Sequence, residues 1–192
     1  MKRWFMDFGA HLPLMDFGGN PYTLGHLAAY TDTAARLGFG ALSVNDHMLF
    51  SVPWLDGPTA LAAIVEHSGA ITLATTVSLP IIRGPVPLAK TLAAIDRLSH
   101  GRLVVAVGPG SSEKDFDSVS LDFTQRWARL DESIGALRAL WRSEGAPFVG
   151  RFYFTEGISL DPHPTRREGP PIWVGSWGSE AGLRGTARLA DG

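Results

Sequence analysis

Apolar residues along this chain fall into two kinds of run. The first kind is short and nearly continuous: residues 5–12, closed by Pro13, then 41–45, 70–79, 103–107 and 171–175. Runs of this length, bounded by Gly and Pro, read as strands buried on both faces. The second kind is spaced by three and four. Leu24, Leu27, Ala28, Ala34 and Ala35 follow Thr23 and stop at Gly38. Leu61, Ile64 and Val65 follow Asp56-Gly57-Pro58, and Leu88, Leu92, Ile95 and Leu98 lie between Pro87 and Gly101. The longest stripe is Trp127, Leu130, Ile134, Leu137 and Trp141. This spacing puts each set on one face of a helix, with a polar cap or Pro at the start and Gly past the end. Residues 108–123 read as a polar loop and 148–160 as a small hairpin turning at Glu156-Gly157. Residues 161–170 form a Pro-punctuated linker, and Ser179 opens a last helix.

Apolar strands alternating with amphipathic helices predict a parallel sheet with helices on its outer face and right-handed crossovers. Either a barrel or a doubly wound open sheet meets that description. No Gly-x-Gly-x-x-Gly follows the first strand, which counts against the dinucleotide-binding open sheet. A complete TIM (β/α)8 barrel has eight strands and about 250 residues; this chain has 192 residues. It is therefore read as a single domain over 1–192, the N-terminal part of a TIM barrel truncated after about five β/α units. A five-stranded open sheet is the alternative.

Composition narrows the function classes. The net charge is −2 and no basic cluster is long enough to track a phosphate backbone, which argues against nucleic acid as a partner. The chain has no Cys, so disulfides, thiolate metal ligands and Cys nucleophiles are excluded together. Asp7 interrupts the first apolar run too early for a secretory signal, and no stretch approaches the ~20 apolar residues of a membrane span. The expected location is the cytoplasm.

Parallel α/β folds bind ligands at the carboxyl ends of their strands. His11 stands there after the first strand and Asn45-Asp46-His47 after the second. Thr75, Thr76 and Ser78 end the third, Gly108-Pro109-Gly110-Ser111-Ser112 follows the fourth, and Gly175-Ser176 follows the fifth. Asp46 can accept a hydrogen bond from a ligand, and His47 can pass a proton; equally, Asp46 can cap the loop and His47 can be structural. The two Gly-rich loops suit an anion or a planar ligand close to the backbone, or serve as plain connections. His11 with Asp46 and His47 would make a metal site only weakly, since the chain has no His-x-His. Trp54 and Trp177 fall on the rim as walls of an apolar pocket, whereas Trp173, inside a strand, is expected to be buried.

In this order and spacing, several segments together carry a resemblance. They are Leu37-Gly38-Phe39 leading to Asn45-Asp46-His47, Leu98-Ser99-His100-Gly101-Arg102, and Gly108-Pro109-Gly110-Ser111-Ser112. Arg126-Trp127 with Leu130-Asp131-Glu132, Pro162-His163-Pro164 and Pro170-Pro171-Ile172-Trp173-Val174-Gly175 continue it. The chain resembles the luciferase-like (bacterial luciferase-type) flavin-dependent oxidoreductases, and more narrowly their actinobacterial branch, many of which use the deazaflavin F420.

The resemblance implies a cofactor, F420 or FMN, lying across the carboxyl-end rim, and redox chemistry on a small organic substrate. Reduced FMN would call for a partner reductase and oxygen as oxidant; F420 would exchange hydride with the substrate. Asp46 would contact the ring and His47 would be the catalytic acid–base group. Thr76 and Val77 would back the ring, on a bulge with a non-proline cis bond between them. Gly108, Ser111, Gly175 and Ser176 would border the cofactor's tail. Two departures stand out: the last three units are missing, and Ser111 stands where some F420-dependent sugar-phosphate dehydrogenases carry a catalytic carboxylate. Other readings are a non-catalytic or degenerate flavin-binding protein and a metal-dependent barrel hydrolase. An incomplete barrel would expose strand edges, so homo-oligomerisation or instability is expected.

Overall fold

The computed structural model describes residues 8–19, 22–144, 146–176, 178 and 180–192. Five parallel strands form one sheet: β1 (Gly9–His11), β2 (Ala41–Val44), β3 (Thr72–Ser78), β4 (Leu103–Val107) and β5 (Ile172–Val174). Their order in space is their order in sequence. A doubly wound sheet reverses direction part-way; here each strand adds on the same side, as in a TIM barrel. The stretch of the first predicted strand from Phe5 to Asp7 lies outside the described residues, as do Trp177 and the cap expected at Ser179.

The helices are α1 (Leu24–Arg36), α2 (Gly57–Ala63), α3 (Pro80–Arg83), α4 (Pro85–Leu98), α5 (Glu113–Ser118) and α6 (Arg126–Trp141) between strands, and α7 (Glu180–Leu189) after β5. Their starts follow local chemistry. The Thr23 hydroxyl accepts from the His26 amide at 3.2 Å to cap α1, and Asp56 Oδ1 accepts from the Thr59 amide at 2.9 Å to cap α2.

Strand side chains alternate. Leu42, Val44, Leu73, Leu103, Val105, Val107 and Ile172 are buried in one cluster with Leu88, Leu92 and Ile95 of α4 and Leu130, Ile134, Leu137 and Trp141 of α6. Each such Leu or Ile contributes roughly 1.5–3 kcal/mol of burial. The predicted stripe on α6 is therefore the face that meets the sheet and α4, and Trp141 Nε1 donates to the Ala89 carbonyl at 3.1 Å.

Three expectations need correction. Trp173 is 47% exposed, because alternation turns it to the sheet face opposite the helices while its neighbour Ile172 is buried. The hairpin over 148–160 reduces to one antiparallel bridge, Val149 with Phe154. Its turn is at 150–153, where the Gly150 amide donates to the Tyr153 carbonyl, and not at Glu156-Gly157. The loop predicted over 108–123 contains α5, capped by the Ser112 hydroxyl.

The end of β3 is bulged as expected. Thr75 pairs with Val105 and Ser78 with Val107, so three steps on β3 face two on β4. The extra residue falls at Thr76 and Val77, which are joined by a cis peptide bond. Beside β5, the Asp191 amide donates to Ile172 O at 2.7 Å and the Val174 amide to Gly192 O at 2.9 Å.

Candidate functional site

A cavity of about 350 Å³ opens at the carboxyl ends of β2 to β5. Asn45, Asp46 and His47 line it after β2, and Thr76, Val77 and Leu79 at the end of β3. Gly108, Pro109, Gly110 and Ser111 follow from β4, and Gly175 and Ser176 from β5. The residues that the resemblance assigns to the site, Asp46, His47, Thr76, Val77, Gly108, Ser111, Gly175 and Ser176, thus all line one cavity, whereas Thr75, Ser78 and Ser112 do not. Its volume is at the lower end of the roughly 300–1,000 Å³ found for small-molecule sites. His11 does not line it; its Nδ1 lies 2.8 Å from the Leu12 carbonyl oxygen, and its own carbonyl accepts from Tyr30. Among the described residues no three His, Asp or Glu side chains converge as metal ligands.

The bulge places the Val77 side chain between two glycines. A Cβ on Gly108 would stand 2.6 Å from Val77 Cγ2, and one on Gly175 would stand 2.8 Å from Val77 Cγ1. Only glycine at both positions lets the ends of β4 and β5 close on the bulge, which leaves a floor of backbone and small groups suited to a flat ligand. Asn45 Oδ1 is buried beside this floor without a hydrogen-bond partner, an acceptor that a ring N–H would satisfy.

Asp46 is 3% exposed, and its carboxylate is held from behind. Arg83 of α3 donates to both oxygens, Nε to Oδ2 at 2.5 Å and a terminal nitrogen to Oδ1 at 2.6 Å; the Leu79 amide adds a bond at 3.3 Å. The same guanidinium also bonds Asp56. Burial works against the Arg83 charge, but the two carboxylates outweigh it and raise its pKa above the ordinary value. Asp56 behaves in mirror image: burial raises its pKa, but bonds from Thr59 and Arg83 prevail and lower it. Asp46 therefore offers the cavity a fixed wall, since its oxygens are already committed.

His47 sits among rings, 4.9 Å from Phe50 and 4.7 Å from Trp54 between centroids. Trp54, expected as a wall of the pocket, packs against His47 and Phe50 and is not among the residues that line the cavity.

The model of the luciferase-like monooxygenase family matches residues 6–192. The chain belongs to this family. An uncharacterised protein of Mycobacterium tuberculosis is 34% identical over all of this chain, which spans 61% of that protein's length. An F420-dependent glucose-6-phosphate dehydrogenase of Nakamurella multipartita is 31% identical over 96% of the chain, which spans 54% of that enzyme. Among solved structures, the monooxygenase RslO1 of Streptomyces bottropensis superposes with a TM-score of 0.84 at 28% identity, over 95% of this chain and 57% of RslO1. Homologues and structural neighbours in the family use F420 or FMN. The fold is that of the luciferase-like TIM barrel, represented here by five of its β/α units. Among the described residues, no helix is long and apolar enough to cross a membrane.

Sequence reasoning missed two polar residues around the site, Arg83 and Asp115. Arg83 belongs to α3, four residues between Pro80 and Gly84, too short for any periodic signal. Asp115 belongs to α5, where one signal was available: Ser112 and Asp115 stand at the spacing of a capping box.

Proposed function

We propose that this chain forms the cofactor-bearing part of a flavin-dependent oxidoreductase, holding F420 or FMN in the cavity at the ends of β2 to β5 and acting on a small organic substrate. The observation that carries the proposal is the convergence of four strand ends on a floor built from Val77, Gly108 and Gly175, where an added Cβ would collide.

Thr76 and Val77 back the ring, with Asp46, anchored by Arg83, as its fixed side wall. Gly108, Ser111, Gly175 and Ser176 border the tail, where backbone amides and two hydroxyls can meet polar groups. The cofactor supplies the redox step when bound, as hydride exchange for F420 or reduction of oxygen for FMN. His47 holds or delivers a proton at the substrate, and Phe50 and Trp54 fix the plane of its ring. Ser111 cannot replace a carboxylate as a base, which separates this acid–base scheme from one built on an acidic residue at that position. The same reading places the protein in the cytoplasm, as a single domain corresponding to the N-terminal part of the barrel. An FMN form would draw on a reductase, and the exposed sheet face would favour self-association.

The test is direct titration of the purified chain with F420 and with FMN, followed by ring fluorescence. Saturable binding of one of them is expected, weakened in Asp46→Ala with its fold checked by circular dichroism. His47→Ala should lower turnover more than it lowers cofactor affinity. No saturable change with either cofactor would end the proposal.

A further inference from the structure

We propose that Asp115 is a positioning residue for His47: its carboxylate holds the imidazole proton on Nδ1 and so leaves Nε2 as the nitrogen available to the cavity. This rests on the assignment of His47 as the acid–base group made above.

Nδ1 of His47 is buried and has no hydrogen-bond partner. A buried ring nitrogen without a partner is uncommon and asks for an explanation. Oδ2 of Asp115 stands 3.9 Å away. That distance exceeds a hydrogen bond, but an approach of about 1 Å completes one, and such bonds commonly tighten only in the liganded site.

The surroundings limit the alternatives. Asp115 is 1% exposed at the start of α5, and its backbone amide donates to the Ser112 hydroxyl at 3.4 Å. Its Oδ1 accepts from the Leu49 amide at 2.9 Å. One carboxylate oxygen therefore grips the loop that carries His47 while the other faces the ring, and the separation is set by a bond within the same unit. Phe50 and Trp54 pack against the imidazole, which restrains it from swinging away. The adjacent carboxylate, Asp46, is occupied by Arg83. Asp115 is the acidic group placed to orient the imidazole, in the manner of a carboxylate that fixes a histidine tautomer.

A purely structural role for Asp115, clamping Leu49, would leave the tautomer unaffected. The experiment uses the full chain with nitrogen-15 in its histidines, observed by NMR at a pH where the ring is neutral. In the wild type, the His47 signals should show Nδ1 protonated. Asp115→Asn keeps an acceptor for the Leu49 amide but removes the negative charge, and should shift the tautomer ratio toward Nε2–H by about tenfold or more. Asp115→Glu should retain the Nδ1–H form. A wild-type His47 already in the Nε2–H form, or a ratio unmoved in Asp115→Asn while the Leu49 amide keeps its shift, would overturn the proposal. If both variants fail to fold, the wild-type tautomer alone decides. Cofactor titration on the same samples separates the two ideas: binding with an unmoved tautomer removes Asp115 only, and a shifted tautomer without binding removes the cofactor assignment.

Discussion

At the scale of single residues, the strongest coupling is the one that joins Asp46, Arg83 and Asp56. Arg83 serves two carboxylates, one buried at the cavity and one capping α2. Removing it leaves the Asp46 charge buried without compensation, so Arg83→Ala should cost about 3–5 kcal/mol in a urea melt. Arg83→Lys should recover only part of that, because one ammonium cannot reproduce the paired donors on the two Asp46 oxygens. Asp56 adds a pH dependence whose sign is fixed by its lowered pKa. Its stabilisation is fully present above the ordinary value of 3.8 and is lost as pH falls through the lower folded value. The stability gap between wild type and Asp56→Asn should be constant near neutrality and shrink as pH falls below 3.8. A gap unchanged by acid would mean that capping geometry, and not charge, carries the effect.

At the scale of elements, the bulge of β3 and the glycines after β4 and β5 form one packing unit. Gly108→Ala sets a methyl group against Val77 and should cost about 1–3 kcal/mol by overpacking. Trimming the neighbour in Val77→Ala should relieve it, so the double variant should lose less than the sum of the singles in matched denaturant melts. Additive losses would show that the strain is taken up elsewhere. The elements of this unit were legible in the sequence because strand runs such as 103–107 are apolar and cleanly bounded. The resemblance located the bulge at Thr76 and Val77 as well. The short helices α3 and α5 were not legible. Each offers at most six residues, and the interactions that hold them are remote: Arg83 reaches Asp46 across 37 positions, and Leu49 reaches Asp115 across 66. Local pattern cannot report a bond that exists only after the strands are side by side. The same holds for Trp173, whose burial depends on which face of the sheet the helices cover.

At the scale of the whole molecule, stability rests on the layer between sheet and helices. The cluster runs without a break from Leu12 and Leu42 to Ile172, and Trp141 belongs to it, fully buried. Its indole bonds α4 through Ala89, and the backbone at Gly169 packs so close that a Cβ there would stand 2.5 Å from the ring. Trp173, of the same size, is half exposed on the other face. The two tryptophans therefore test where the energy lies. Trp141→Ala should cost about 3–5 kcal/mol, a large part of the ~5–15 kcal/mol available to a domain, whereas Trp173→Ala should cost about 1 kcal/mol or less. Since the cluster is continuous, tryptophan fluorescence and far-ultraviolet circular dichroism should also give one midpoint in the wild type. Equal losses in the two variants would show that the inner face of the sheet is packed as tightly as the outer. A Trp173 loss exceeding that of Trp141 would place the principal core on the cavity side, and the cavity floor would then be part of what holds the fold together.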